Sequence, residues 1–228
     1  MGRWNDVLVD DSSMRCYLAE PQEVNGPGML VCMHGPGIDD FIRDICERLA
    51  SSGLAAIAPD FYHRQREPRV EPWTKIIDTE ALRDMAKAVN ALKEFSRIDP
   101  ERVGVVGFCM GGRLAFLYAA NNPDLRAAVV FHGGNIMVAR EGLPSPLAQA
   151  RNIRAPVLGL FGAEDENPSP SDVQRIDSEL TRLGKEHEFH SYAGAGHAFL
   201  NFMRPAVFRE AQAKEAWVTC LAWLDRYL

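Results

Sequence analysis

The stretch Gly104–Gly112, GVVGFCMGG, sets one cysteine between two glycines at the spacing glycine-x-cysteine-x-glycine, where an apolar run gives way to a helical pattern. That spacing is a nucleophile elbow, the tight strand-to-helix turn that lifts a reactive side chain above the edge of a parallel sheet. Glycine at 107 and 111 lets strand and helix approach where a side chain would collide. The start of a helix also favours a thiolate over a thiol, because unpaired N–H groups and the positive end of the helix dipole face it. Cys109 therefore reads as a nucleophile, against the alternative of an inert buried cysteine in a structural turn.

Outward from the elbow, short apolar runs alternate with helical patterns. MLVCM (29–33), LAAIA (54–58), VGVVG (103–107), AAVVF (127–131) and VLGLF (157–161) read as strands buried on both faces. Leu82, Met85, Val89, Leu92 and Phe95 recur at helical steps, as do Val173, Ile176, Leu180 and Leu183 before Gly184, with Ser171 and Gln174 as a capping box. Phe208, Ala211, Trp217, Leu221 and Leu224 predict a C-terminal helix, VLV and MRCYLA a leading antiparallel pair, and HEFHSY a last strand. Parallel strands need crossovers, so the expected class is α/β: a mostly parallel sheet of about eight strands with helices on both faces, in a single domain over 1–228. Residues 63–75 lack a pattern and read as a surface loop near the opening of the fold.

Composition narrows the function. With 228 residues, 46% hydrophobic and 25% charged, the chain is an ordinary globular one. A net charge of −6 gives no broad attraction to nucleic acid or to anionic lipid. The N-terminus lacks a secretory profile, Asp6 stands where a myristoylation signal would want a small hydroxyl residue, and no apolar run approaches the roughly 20 residues of a membrane span. The expected location is cytoplasmic, with neither nucleic acid nor membrane as partner. Five cysteines, an odd number with no C-x-x-C spacing, suggest neither a disulfide framework nor a zinc site.

A nucleophilic thiol needs a base, and the base an orienting acid, brought together by the fold. In open parallel sheets such residues gather in loops at the carboxyl ends of strands. His197, in AGAGHAF after the last strand, is the candidate base, and Asp165, in GAEDENP after VLGLF, the candidate acid, with Glu164 and Glu166 as rivals. The chain order nucleophile, acid, histidine is that of α/β hydrolases. An oxyanion needs two backbone donors: the N–H of Met110, after the nucleophile, and one from HGPG (34–37), where Pro36 has none and Gly35 is the candidate.

Together DDFIRDICERLASSGLAAIAPDFYHR, GVVGFCMGGRLAF, PVLGLFGAEDENPSP and HEFHSYAGAGHAF resemble the dienelactone hydrolase family, cysteine hydrolases of the α/β-hydrolase fold. The resemblance implies a Cys109–Asp165–His197 triad, oxyanion donors at Gly35 and Met110, a small ester or lactone as substrate, and no metal or organic cofactor. Two positions depart from it. The family members that open dienelactones carry a glutamate where His34 aligns, and an arginine for the substrate carboxylate where Asn201 aligns. Two roles are open to His34, polarising the thiol of Cys109 or contacting substrate, besides that of a loop residue shaping the turn. Asn201 and His132, after AAVVF, are the other candidate substrate contacts, and Arg66, Arg69 and Arg113 are arginines within reach of an anionic substrate. A thioesterase, another hydrolase with the same triad, or a catalytically silent binding protein on this fold are the alternative functions. Oligomeric state is not legible.

Overall fold

The structure, a computed structural model, describes residues 2–22, 25–95, 98–140 and 143–228. Eight strands form one sheet: β1 (Arg3–Val9), β2 (Ser12–Ala19), β3 (Gly28–Cys32), β4 (Ala55–Pro59), β5 (Val103–Phe108), β6 (Ala127–Phe131), β7 (Val157–Gly162) and β8 (His187–Tyr192). Five α-helices join or follow them: α1 (Asp40–Ser51), α2 (Asp78–Phe95), α3 (Met110–Asn121), α4 (Pro170–Arg182) and α5 (Glu210–Tyr227). The order across the sheet is β1-β2-β4-β3-β5-β6-β7-β8. The β1–β2 and β2–β4 pairs are antiparallel and every other pair is parallel. This is the α/β-hydrolase arrangement the elbow predicts. No helix among the described residues is long and apolar enough to cross a membrane.

The apolar runs become strands because nothing polar interrupts them. Every residue of β3 to β7 is buried, which requires cover on both faces of the sheet. Packing then ranks the helices. All residues of α3 from Met110 to Ala120 are buried, so the elbow helix lies inside the molecule, whereas α1 and α4 bury one stripe each. Beneath the elbow, Phe108 stacks on Phe131 with ring centroids 4.9 Å apart and meets Phe41 edge-on at 5.3 Å. Each such buried ring contributes roughly 1.5–3 kcal/mol by leaving water, so the floor of the sheet edge is rigid.

Two local expectations shift. The capping box of α4 is formed by Ser169 and Asp172, two residues before the predicted pair, because Pro170 suits the first helical position and fixes where the helix begins. The apolar face of α5 is Ala213, Ala216, Trp217, Cys220, Trp223 and Leu224. Ala211 is exposed and Phe208 precedes the helix, so the predicted stripe is rotated onto the true three- and four-residue steps.

At the elbow the close approach is extreme. A Cβ on Gly107 would sit 1.9 Å from the carbonyl oxygen of Gly111, a backbone atom with nowhere to go. Gly107→Ala is therefore expected to cost more than about 3 kcal/mol, through forced separation of strand and helix. A thermal melt checks this, and an unchanged midpoint would show that β5 and α3 can part there without penalty.

Candidate active site

Cys109 joins β5 to α3 with φ 55° and ψ −117°, a conformation rarely adopted by a residue with a side chain. Its backbone is clamped on both sides. The N–H donates to the Phe131 carbonyl (3.0 Å), and its own carbonyl accepts from the N–H groups of Gly112 (3.0 Å) and Arg113 (3.2 Å). The neighbouring strand and the first turn of α3 thus hold the strained residue with its thiol at the sheet edge.

The turns after β7 and β8 are stitched to each other. The Glu164 N–H donates to the Ala195 carbonyl (2.9 Å) and the Ala163 N–H to that of Tyr192 (3.0 Å), while a Cβ on Gly162 would stand 2.4 Å from the Ala195 carbonyl oxygen. Only glycine allows that contact, and it sets Asp165 opposite His197. Oδ2 of Asp165 lies 2.8 Å from Nδ1 of His197, and its Oδ1 accepts the Asn167 N–H at 2.9 Å. The acid is enclosed, its side chain 1% exposed, whereas that of His197 is 35% exposed. Glu164 and Glu166 line the cavity on either side, but the carboxylate that meets the imidazole is that of Asp165.

The charges follow from this line of atoms. Burial works against a charged His197, yet hydrogen bonds to Asp165 and Cys109 and the negative charge of both outweigh it and raise its pKa to about 10. Burial likewise disfavours the Cys109 thiolate. The hydrogen bond and charge of His197 and the Met110 N–H overcome it, against opposition from Asp165, and hold this thiol below its ordinary value. Buried Cys16 and Cys220 go the other way, pushed up to about 12 chiefly by desolvation. The contact between the two side chains thus lowers the thiol and raises the imidazole.

Above the pair opens a cavity of about 660 Å³. Met110 and Gly35, the two residues expected to supply oxyanion donors, line it together with Cys109. The Gly35 segment is pinned by Tyr62, whose hydroxyl donates to the Gly35 carbonyl (2.7 Å) and sits 3.6 Å from the Met110 sulfur. Sequence reading passed over Tyr62, although it stands in PDFYHR immediately after β4, at the strand end where such residues gather. The loop 63–75 reaches the opening as expected, through Trp73, which packs over Gly35 and lines the cavity.

The other candidates are placed differently. His34 lines the cavity, with Nε2 2.9 Å from Oδ2 of Asp39. His132 and Asn201 do not line it. His132 is buried behind His197, ring centroids 5.0 Å apart, among Phe108, Phe131 and Phe199, and its charged form is strongly disfavoured by that burial and then by His197 and His34. Asn201 is buried and accepts the Met203 N–H at 3.0 Å, closing a turn. Arg113 borders the cavity, but its guanidinium is spent on a two-pronged pair with Asp78 (2.6 and 2.8 Å) and on the carbonyls of Asn135 and Val138. Arg69 pairs with Glu67 and Asp60, and Arg66 is exposed outside the cavity. Arg140 and Arg204, which sequence reading did not single out, line the cavity instead, because the loops that carry them have no periodicity to announce where they fold.

Comparison with known proteins agrees with this architecture. The family model described as "Dienelactone hydrolase family" matches residues 14–228. A protein of Methylorubrum extorquens named "Putative carboxymethylenebutenolidase" is 33% identical over 232 residues, covering 97% of this chain and 79% of the relative. One of the same name from Escherichia coli K12 is 33% identical over 238 residues, covering 98% and 86%. The crystal structure titled "Putative Dienelactone Hydrolase" from Klebsiella pneumoniae superposes with a TM-score of 0.91 at 33% identity, over 100% of this chain and 99% of that one. With the family model spanning nearly the whole chain and the elbow, sheet order and cavity in place, the chain belongs to the dienelactone hydrolase family.

Proposed function

We propose that this protein hydrolyses small carboxylic esters or lactones through an acyl-cysteine intermediate, with Cys109 as nucleophile, His197 as proton carrier and Asp165 as the group that orients it. The observation that carries the reading is His197 placed between two partners, with Nδ1 on the buried Asp165 carboxylate and the same imidazole hydrogen-bonded to the Cys109 thiol, which it holds below its ordinary pKa. The thiolate attacks the carbonyl carbon, and the oxyanion takes the N–H groups of Met110 and Gly35. The C–O bond breaks as His197 gives its proton to the departing oxygen, leaving a thioester on Cys109. Water then gives a proton to His197 and its oxygen to the acyl carbon, and the thiolate leaves. Burial in a cavity strengthens each of these polar contacts relative to water.

The direct test is mass spectrometry of protein quenched during turnover of an activated ester. The expected result is one acyl mass on the peptide carrying Cys109, and turnover without any adduct, under quench conditions that preserve thioesters, would overturn the reading.

The same pair predicts a pH profile. Between the lowered pKa of Cys109 and the value near 10 of His197, the reactive thiolate is present beside a protonated base. Alkylation of Cys109 by iodoacetamide should therefore rise with pH at a midpoint below that of an ordinary thiol. In His197→Ala the favourable charge is gone while burial remains, so the midpoint should move above that of an ordinary thiol. Identical profiles for parent and variant would show that His197 does not set the state of the thiol.

A further inference from the structure

The turn after β4 supplies a side chain that touches both residues expected to carry the oxyanion. Tyr62 is buried, and its hydroxyl donates to the Gly35 carbonyl at 2.7 Å while lying 3.6 Å from the Met110 sulfur. The tyrosine is itself held. Its N–H donates to Oδ1 of Asp60 (2.9 Å) and its carbonyl accepts the Gln65 N–H (2.8 Å), while the Asp60 N–H donates to the Arg15 carbonyl (2.9 Å) and ties the turn to β2. Burial, then the charges of Asp60 and Cys109, push the phenol far above its ordinary pKa, so the hydroxyl stays a donor across the neutral range.

The two expected donors are secured in different ways. The Met110 N–H belongs to the peptide unit that ends in the Cys109 carbonyl, and that carbonyl accepts the N–H groups of Gly112 and Arg113, so the first turn of α3 fixes it. The Gly35 N–H belongs to the unit that carries the His34 carbonyl, which accepts the Gly37 N–H at 3.0 Å. The next unit, with the Gly35 carbonyl, is held by Tyr62. Between the two units Gly35 has no side chain to limit rotation, and Pro36, which follows, has no N–H to add a further bond. The aim of the Gly35 N–H therefore depends on a bond from each side, one from the turn itself and one from Tyr62.

We propose that Tyr62 is a positioning residue of the oxyanion hole, whose hydroxyl fixes the Gly35 peptide relative to Met110 so that both N–H groups meet the oxygen of the tetrahedral intermediate. This rests on the proposed roles of Cys109, Gly35 and Met110. Formation and hydrolysis of the acyl-cysteine each pass through such an intermediate, so a misdirected donor slows both. Removing an oxyanion donor outright costs about 10²–10³ in kcat. Here the donor remains but is no longer held, and the loss is smaller. Attack of the thiolate on a saturated carbon builds no oxyanion and is indifferent to the change.

The test sets ester turnover against alkylation in Tyr62→Phe, which lacks one oxygen atom. With p-nitrophenyl acetate, kcat should fall about 10- to 100-fold while KM changes less than about threefold, as expected when an interaction made in the transition state is weakened. Alkylation of Cys109 by iodoacetamide should keep the parent's rate and pH midpoint, and a thermal melt should show a folded protein. Tyr62→4-aminophenylalanine, which keeps a donor, should recover much of the lost kcat, whereas Tyr62→4-fluorophenylalanine, similar in size without a donor, should not. That second pair decides the matter even where Tyr62→Phe does not fold. Unchanged kcat in Tyr62→Phe, equal kcat in the amino and fluoro variants, or equal losses of ester turnover and alkylation would overturn the role of Tyr62. The two readings fail separately. An acyl adduct on Cys109 formed equally fast in parent and Tyr62→Phe sinks only the positioning role, whereas ester turnover by the parent with no adduct at all removes the nucleophile.

Discussion

Replacing Cys109 with alanine should abolish ester hydrolysis, lowering kcat by about 10⁴-fold or more while leaving the fold unchanged. Removal of a nucleophile from a triad takes away the covalent route altogether, and what remains is the modest assistance of the oxyanion donors and of substrate binding. Folding should tolerate the change because Cys109 adopts its strained backbone through bonds made by its own N–H and carbonyl, which alanine keeps. The thiol contributes little packing at a half-buried position facing the cavity. Steady-state kinetics on an activated ester, beside a thermal melt, decide the matter. A variant that folds and retains a tenth of the parent's kcat would show that Cys109 is not the nucleophile.

Asp165→Asn should leave the geometry in place and lower kcat by about 10³- to 10⁴-fold. An asparagine turned with its NH₂ toward Nδ1 favours the wrong tautomer, and either orientation withdraws the negative charge that holds His197 protonated beside the thiolate. Two effects therefore coincide: a misdirected imidazole and a weaker ion pair. Because the carboxylate is enclosed and Oδ1 is tied to the Asn167 N–H, no other acid can swing into its place without remaking the turn. Glu164→Gln and Glu166→Gln are the controls, since both side chains stand in the cavity wall without meeting His197 in the structure. If either control falls as far as Asp165→Asn, the orienting acid has been misassigned.

The elbow, the buried strands and the chain order of the three polar residues were legible before any coordinates because each depends on neighbours in sequence. Gly107 and Gly111 flank Cys109 by two residues, and an uninterrupted apolar run such as VGVVGF can only sit inside a sheet. Helix registers were legible less sharply. The stripe of α5 and the start of α4 slipped by a few residues, because a periodic pattern tolerates a rotation that a packed interface does not.

What tertiary structure alone decided is which polar side chain meets which. Asp165, not its neighbours Glu164 and Glu166, meets His197 because Gly162 lets two strand-end turns touch, a contact between residues more than thirty apart in the chain. Arg113 is taken up by Asp78 and Asn201 by its own turn, while Tyr62, Trp73, Arg140 and Arg204 arrive at the cavity from loops with no pattern to announce them. His34, a lone loop histidine in the sequence, becomes a cavity residue with a carboxylate partner only when α1 sets Asp39 beside it. Backbone conformation and burial follow from short-range sterics and local apolar pattern, and so the sequence by itself determined the fold and the position of Cys109 at the elbow. Hydrogen bonds and ion pairs depend on ångström distances between segments far apart in the chain, and those distances exist only in the folded molecule.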